Sequence, residues 1–237
     1  MNKLRVDYLQ NHPDYKVVQH EDMYHFNTDT CLLGEFIKIN KDDKVLDVGT
    51  NNGALLVFII NKGGTAFGIE INKQALEIAK LTLKENNFEA TLINQDFKTY
   101  LANEKYDVIV SNPPYFSSKE EKQKNQNEHL KIARHEEMLD LKSLCTSIAN
   151  NLKKEGRVYL VHRPNRLDDI EKNLNEVGLY INEYQLVYDY RKKEAKSLLI
   201  EASFNKGLKR YNSGSLMGGR VWFLIMIVLW DFVTIGQ

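Results

Sequence analysis

The stretch Tyr106–Phe116, YDVIVSNPPYF, limits most tightly what this chain can fold into. Val108, Ile109 and Val110 form an unbroken apolar run, and Ser111 leads straight into Asn112, Pro113, Pro114 and Tyr115. An apolar run closed by a turn signal fits a strand buried on both faces, the pattern of a central parallel strand. Pro113 and Pro114 have no N–H to give to a sheet, and Pro113 pushes Asn112 into an extended conformation. A stiff loop is therefore expected at the C-terminal edge of a buried strand, where open α/β sheets bind their ligands. There the Asn112 amide and the Pro113 carbonyl can face one cavity, with the Tyr115 ring just beyond. Two such oxygens suit the holding of a planar amino group by its two hydrogens. The plainer alternative is a proline turn that merely ends a strand.

The rest of the chain alternates in the same way. Thr28 and Asp29 are good helix starters, and Leu32, Leu33, Phe36 and Ile37 follow at helical spacing. In KVLDVGTNNGALL, Val45, Leu46 and Val48 make a short buried strand, Gly49 to Gly53 a tight turn and Ala54 to Ile60 a helix. A strand–glycine turn–helix unit brings backbone N–H groups and a positive helix end to the strand tip, beside Asp47. TAFGIEIN supplies a second strand ending in Glu70. That carboxylate follows Asp47 at about the twenty-residue interval at which nucleotide-binding α/β folds hold a ribose. A helix through Ala75, Ile78, Ala79 and Leu83 leads to a strand at Thr91 to Ile93, then Asp96 and Phe97. Beyond the proline loop, a helix is expected from Glu136 to about Leu152, a turn at Gly156, a strand at Val158 to Val161 and a helix through Leu167, Ile170, Leu174 and Val177. Two adjacent strands, Glu183 to Tyr188 and Ser197 to Phe204, close the pattern. The fold class is α/β, a doubly wound and mostly parallel sheet with helices on both faces and an antiparallel edge.

At 237 residues the chain suits one such domain with an appendage. The 32 basic and 32 acidic residues cancel, so any nucleic-acid surface must be a local one. Cys31 and Cys145 have no metal-ligand or redox spacing, and both are expected to be buried reduced thiols in a cytoplasmic protein that needs no metal. The opening MNKLRVDYLQNHPDYK has no apolar core of the signal-peptide kind, and no membrane partner is expected. The tail breaks the pattern. Val221 to Trp230 is continuously apolar, too short for a membrane helix and better suited to a buried strand, a partner contact or an interfacial segment.

The order Asp47, Gly49, Gly53, Glu70, Asp96 and Asn112-Pro-Pro-Tyr115 resembles class I S-adenosylmethionine-dependent methyltransferases, with their seven-stranded Rossmann-like sheet. Asn51 replaces a glycine usual in the first motif, and asparagine tolerates positive φ. More narrowly, RVDYLQ, FNTDTCLLGEF, LDVGTNNG, SNPPYF, ARHEEMLDL, VYLVHRPNRLDDI and EAKSLLIEASFNKG resemble the bacterial tRNA1(Val) adenine-37 N6-methyltransferases. The likeness covers most of residues 4–207 and stops near Tyr211. It implies three regions: residues 1–40 completing a cofactor pocket, a catalytic domain over 41–210 and an atypical tail over 211–237.

By resemblance, S-adenosylmethionine is the cofactor. Glu70, with Ile71 beside it, receives the ribose hydroxyls, and Gly49, Asn51 and Gly53 let the backbone approach the methionine part. Asp96 accepts from the adenine amino group near Phe97, Thr28 and Asp29 flank the cofactor, and Asp47 fixes the turn and approaches the amino-acid end. Helix capping is the competing role for Asp47 and Asp96. Asn112, Pro113 and Tyr115 are the catalytic residues, with Asn112 also bordering the cofactor; Tyr115 stacks on the target base, with Pro114 and Phe116 as further walls. Arg134, His135 and Arg163, preceded by His162, are substrate-side candidates. The RNA partner is a tRNA anticodon loop, whose base leaves its stack most easily. Basic groups at Lys119, Lys122, Lys124 and Lys131, and at Arg191, Lys192, Lys193, Lys206, Lys209 and Arg210, fit RNA contacts or an ordinary solvated face. The same loop would serve a release-factor glutamine, a DNA adenine or a guanine of ribosomal RNA. A catalytically silent RNA-binding module is the alternative outside enzymes.

Overall fold

A computed structural model describes residues 4–9, 12–23, 25–113, 140–189, 194–207, 209–217 and 220–224. The chain opens with a hairpin, β1 (Leu4–Leu9) and β2 (His12–His20), which pair antiparallel as a separate two-stranded sheet. Then follow α1 (Thr28–Phe36), β3 (Lys44–Val48), α2 (Ala54–Asn61), β4 (Thr65–Glu70), α3 (Lys73–Glu85), β5 (Thr91–Asn94) and β6 (Tyr106–Ser111). The second half runs α4 (Leu141–Asn151), β7 (Leu152–His162), α5 (Leu167–Glu176), β8 (Tyr180–Asp189), β9 (Glu194–Ser203), β10 (Arg210–Met217) and β11 (Arg220–Leu224).

Among the described residues nine strands make the main sheet, in the order β11-β10-β8-β9-β7-β6-β3-β4-β5. Its seven strands from β3 to β9 are the doubly wound sheet that the β-α alternation calls for, with β9 antiparallel to both neighbours. Two strands extend it at one edge, where β10 pairs parallel to β8 and β11 pairs antiparallel to β10. Arg220–Leu224 is thus a strand, and residues 225–237, with the rest of the apolar run to Trp230, lie outside the described residues.

Strand order decides where a ligand can bind. From β3 the chain steps outward to β4 and β5, then returns to lay β6 against the other side of β3. This reversal opens a crevice at the carboxyl ends of β3 and β6, the switch point at which open α/β sheets hold their ligands. Packing explains why β6 is apolar from Val108 to Val110. Val108 and Val110 join one buried cluster with α1 and α2, while Ile109 joins the other with α4 and α5. A strand with helices on both faces has no polar side.

Three local expectations change. The hairpin had no sequence signal, because Val6 and Tyr8 of β1 face solvent. It is held by β2 instead: Lys16 N–H donates to Asn86 Oδ1 at 3.0 Å, Asn86 Nδ2 returns a bond to Lys16 O at 2.7 Å, and Val18 N–H donates to Thr82 Oγ1 at 3.0 Å. Side chains of α3 and of its C-cap, Asn86, thereby satisfy the strand edge that would otherwise stand open. Gly156, expected as a turn, lies inside β7, where a Cβ would come within 2.9 Å of Asp107 O. Finally, α4 begins at Leu141 behind an Asp140 N-cap that accepts from Ser143 N–H; residues 136–139 lie outside the described residues.

Candidate active site

Register brings the motifs to one edge. Val48 pairs with Ser111, Val48 with Ile69, and Glu70 with Asn94. The residues that follow, Gly49, Glu70, Asp96 and Asn112, therefore stand side by side at the carboxyl ends of four adjacent strands. Gly49, Asn51 and Gly53 all have positive φ, at 73°, 46° and 78°. The two glycines meet this at no steric penalty, and asparagine at a small one. A Cβ on Gly49 would meet no atom within 4 Å, so the turn is open on that side. Gly53 is the N-cap of α2, and no side chain caps that helix. Its first-turn N–H groups remain for a polar ligand or water.

Asp47 lies under this turn and is 1% exposed. Thr50 Oγ1 donates to its Oδ2 at 2.7 Å, while its Oδ1 has no partner among the described residues. Burial, opposed by the Thr50 bond and helped by the nearby Glu70 charge, pushes the Asp47 carboxyl up from its ordinary 3.8 to about 7. Desolvation disfavours the charged form, and so the neutral acid persists near physiological pH. Glu70 takes Asn51 N–H on Oε2 at 3.0 Å and Asn72 N–H on Oε1 at 2.9 Å. It thus ties the glycine turn to the β4 tip. A carboxylate accepts at about four sites, so these backbone donors do not exhaust it. Ile71 next to it is 43% exposed, an apolar wall at the same tip.

Neither acid caps a helix. Asp47 sits within β3, and Asp96 is in the turn after β5, where its Oδ1 accepts Lys98 N–H at 2.9 Å. Phe97 is turned into the core beside Tyr100. Thr28 is the first residue of α1, and Asp29 is buried and accepts from Ser197 Oγ of β9. Asn112 and Pro113 are half-buried at the end of β6, and Asn112 Nδ2 donates to Thr30 Oγ1 at 2.9 Å. Asn27, Thr30 and Ser197 were not singled out by the sequence. Asn27-x-x-Thr30 reads as a capping box, but its link to Asn112 spans 82 residues and leaves no local trace.

Of the residues expected on the substrate side, Arg163 is exposed just past β7 and donates through Nη1 to Lys196 O at 3.2 Å. Burial, with Arg166 and Arg163 nearby, lowers His162 to about 4, so that imidazole is neutral at physiological pH. Lys209 is paired with Glu171 at 2.8 Å, and Lys206 lies 5.4 Å from the Tyr180 ring centroid. Pro114, Tyr115, Phe116, Arg134, His135 and the basic residues at 119–131 and 191–193 lie outside the described residues.

The arrangement is a nucleotide-type turn, a ribose-height carboxylate and an Asn-Pro pair at one switch point. Residues 15–180 match the family model described as methyltransferase small domain. The chain belongs to this family. It is an S-adenosylmethionine-dependent methyltransferase. Among curated relatives, a tRNA1(Val) (adenine(37)-N6)-methyltransferase from a Flavobacteriaceae bacterium is 29% identical over 82% of this chain and 83% of its own. Among solved structures, a predicted O-methyltransferase from Agrobacterium tumefaciens shares the fold at TM-score 0.60 and 16% identity, over 81% of this chain and 88% of that one. A 16S rRNA N2 methyltransferase from T. Thermophilus, in complex with AdoMet and guanosine, does so at TM-score 0.57 and 18% identity, over 85% of this chain and 50% of that one.

The methyltransferase's own residues fit the cofactor. The open side of Gly49 admits a ligand against the backbone, and the unpartnered Asp47 Oδ1 awaits a donor beneath it. Glu70 and Ile71 offer an acceptor and an apolar face at the next strand tip. Among the described residues no group of His, Cys, Asp or Glu could hold a metal ion, and no helix is long and apolar enough to cross a membrane.

Proposed function

We propose that this enzyme methylates N6 of an adenine in tRNA, adenine 37 next to the anticodon of tRNA1(Val), the activity that its relatives' names carry. The observation that carries the reading is the register pairing Val48 with Ser111, which sets Asn112 and Pro113 beside the open glycine turn. When bound, S-adenosylmethionine supplies a methyl group already activated by its sulfonium. Glu70 holds the ribose hydroxyls, Asp96 and Ile71 the adenine end with Phe97 behind them, and Asp47, Gly49, Asn51 and Gly53 the methionine part. Thr28 and Asp29 close the pocket from the N-terminal segment, residues 1–40, and the catalytic domain proper spans 41–210.

An adenine amino nitrogen is a poor nucleophile, because its lone pair is delocalised into the ring. Asn112 Oδ1 and Pro113 O each accept one of its hydrogens, and both bonds tighten as positive charge develops on the nitrogen. Interactions that strengthen toward the transition state lower its barrier. The methylated nitrogen is acidic and loses its proton afterwards, so no strong base is required. Tyr115 stacks on the extruded base with Pro114 and Phe116 beside it, and base–aromatic stacking contributes ~1–3 kcal/mol. Arg163, Arg134 and His135 meet the anticodon loop. A tRNA substrate and two buried cysteines outside any disulfide, Cys31 and Cys145, favour the cytoplasm as the site of action.

The test is to incubate the enzyme with labelled S-adenosylmethionine and total tRNA from a strain lacking it, then to map the labelled nucleoside. N6-methyladenosine at position 37 of tRNA1(Val) is expected. Label only in protein would transfer the reading to a release-factor glutamine, and label only in DNA or ribosomal RNA to those nucleic acids.

A further inference from the structure

Resting on that reading, we infer that Thr30 is a positioning residue that sets which way round the Asn112 amide faces the target base. An asparagine amide is nearly symmetric in shape, yet its two ends do opposite things. Only the oxygen can accept from an adenine amino group. The NH2 end, turned toward the same site, would meet donors with a donor.

The polarity is set by a short chain of bonds that begins at backbone N–H groups, which cannot be reversed. Thr30 N–H donates to Asn27 Oδ1 at 3.1 Å, fixing which end of the Asn27 side chain is oxygen. The Thr30 hydroxyl donates its single proton to that same oxygen at 3.3 Å. Asn27 N–H donates to Thr30 Oγ1 at 3.4 Å. A hydroxyl has one proton and two acceptor sites, so one acceptor site remains and no donor does. Asn112 can satisfy it only with a hydrogen, and its Nδ2 does so at 2.9 Å. Its Oδ1 is thereby held on the side of the amide away from Thr30. Thr30 is buried at 7% exposure, and a reversed amide would have to draw the hydroxyl proton away from Asn27 Oδ1, breaking the bond that holds it at 3.3 Å. The helix cap at the start of α1 therefore does a second task 82 residues away in sequence.

The test compares Thr30→Val, which keeps the shape and removes the hydroxyl, with Thr30→Ser, which keeps the hydroxyl. Steady-state methylation is measured on unmodified tRNA1(Val) transcript, alongside calorimetric S-adenosylmethionine binding and thermal unfolding. For Thr30→Val, kcat should fall roughly 10- to 100-fold. Cofactor affinity and tRNA KM should stay within about twofold of wild type, and Thr30→Ser should recover most of the rate. Should the valine variant fail to fold, Thr30→Ala against Thr30→Ser gives the same comparison, since Asn27 Oδ1 keeps its bond from the residue 30 N–H. Wild-type kcat in the hydroxyl-free variant overturns the inference. A loss shared equally by the serine variant, or one that appears in cofactor affinity, overturns it too. Wild-type enzyme that leaves the transcript unmethylated refutes the proposed function instead.

Discussion

Asp47 shows how one side chain can be set by burial. Its carboxyl is raised from 3.8 to about 7 by desolvation, so the folded protein favours the neutral acid. A carboxyl raised on folding contributes full stability below its unfolded value and loses that contribution as pH climbs through the folded value. The loss falls between about pH 4 and 7 and amounts to roughly 4 kcal/mol once complete. Asp47→Asn keeps an oxygen for Thr50 and has nothing to ionise. Its melting temperature without cofactor should therefore stay nearly flat from pH 5 to 8, where wild type declines; parallel profiles would show that Asp47 does not titrate there. At Asn112 the expected change is in rate. Asn112→Ala removes the acceptor for the target amine and should lower kcat at least ~100-fold, with cofactor affinity by calorimetry unchanged. Near-normal turnover would free Asn112 of that role. Both residues were legible in the sequence, because each stands at the end of an apolar run, just ahead of a glycine or proline turn. Thr30 was not, since nothing near it in the chain hints at a residue 82 positions away.

At the scale of elements, the strands from β3 to β9 and the helices between them announce themselves through apolar runs and caps, whereas their tertiary contacts do not. α1 and α2 meet at Gly34, where an added Cβ would come within 2.3 Å of the Phe58 ring. Gly34→Ala should destabilise the protein by ~1–3 kcal/mol through overpacking, measured by chemical denaturation, despite alanine's better helix propensity. A gain in stability would mean that Phe58 can move aside freely. The hairpin is the opposite case. β1 buries little beyond Leu9, and β2 is secured by Asn86 and Thr82 of a distant helix, so no alternation along residues 4–20 marks the strands. Periodicity reports a buried face, and an element held by backbone bonds to another element's side chains has little to report.

For the whole molecule, β10 and β11 lie beyond β8, on the far side of β9 and β7 from the β3–β6 crevice. A chain ended after Gly207 keeps every strand from β3 to β9 and all the residues proposed to hold the cofactor. Its S-adenosylmethionine affinity should match wild type within about twofold by calorimetry. A loss of binding would tie the tail to the site. By itself the sequence determined the α/β class, the strands whose tips bring in Asp47, Glu70 and Asn112, and the chemistry those residues can do, because burial and turn formation are local consequences of residue type. Tertiary structure alone decided which strand tips lie side by side, that two more strands join the sheet, and that the first turn of α1 governs the Asn112 amide. Those outcomes depend on register and on hydrogen bonds between segments far apart in the chain, and a bond of that kind exists only once folding has brought its two ends together.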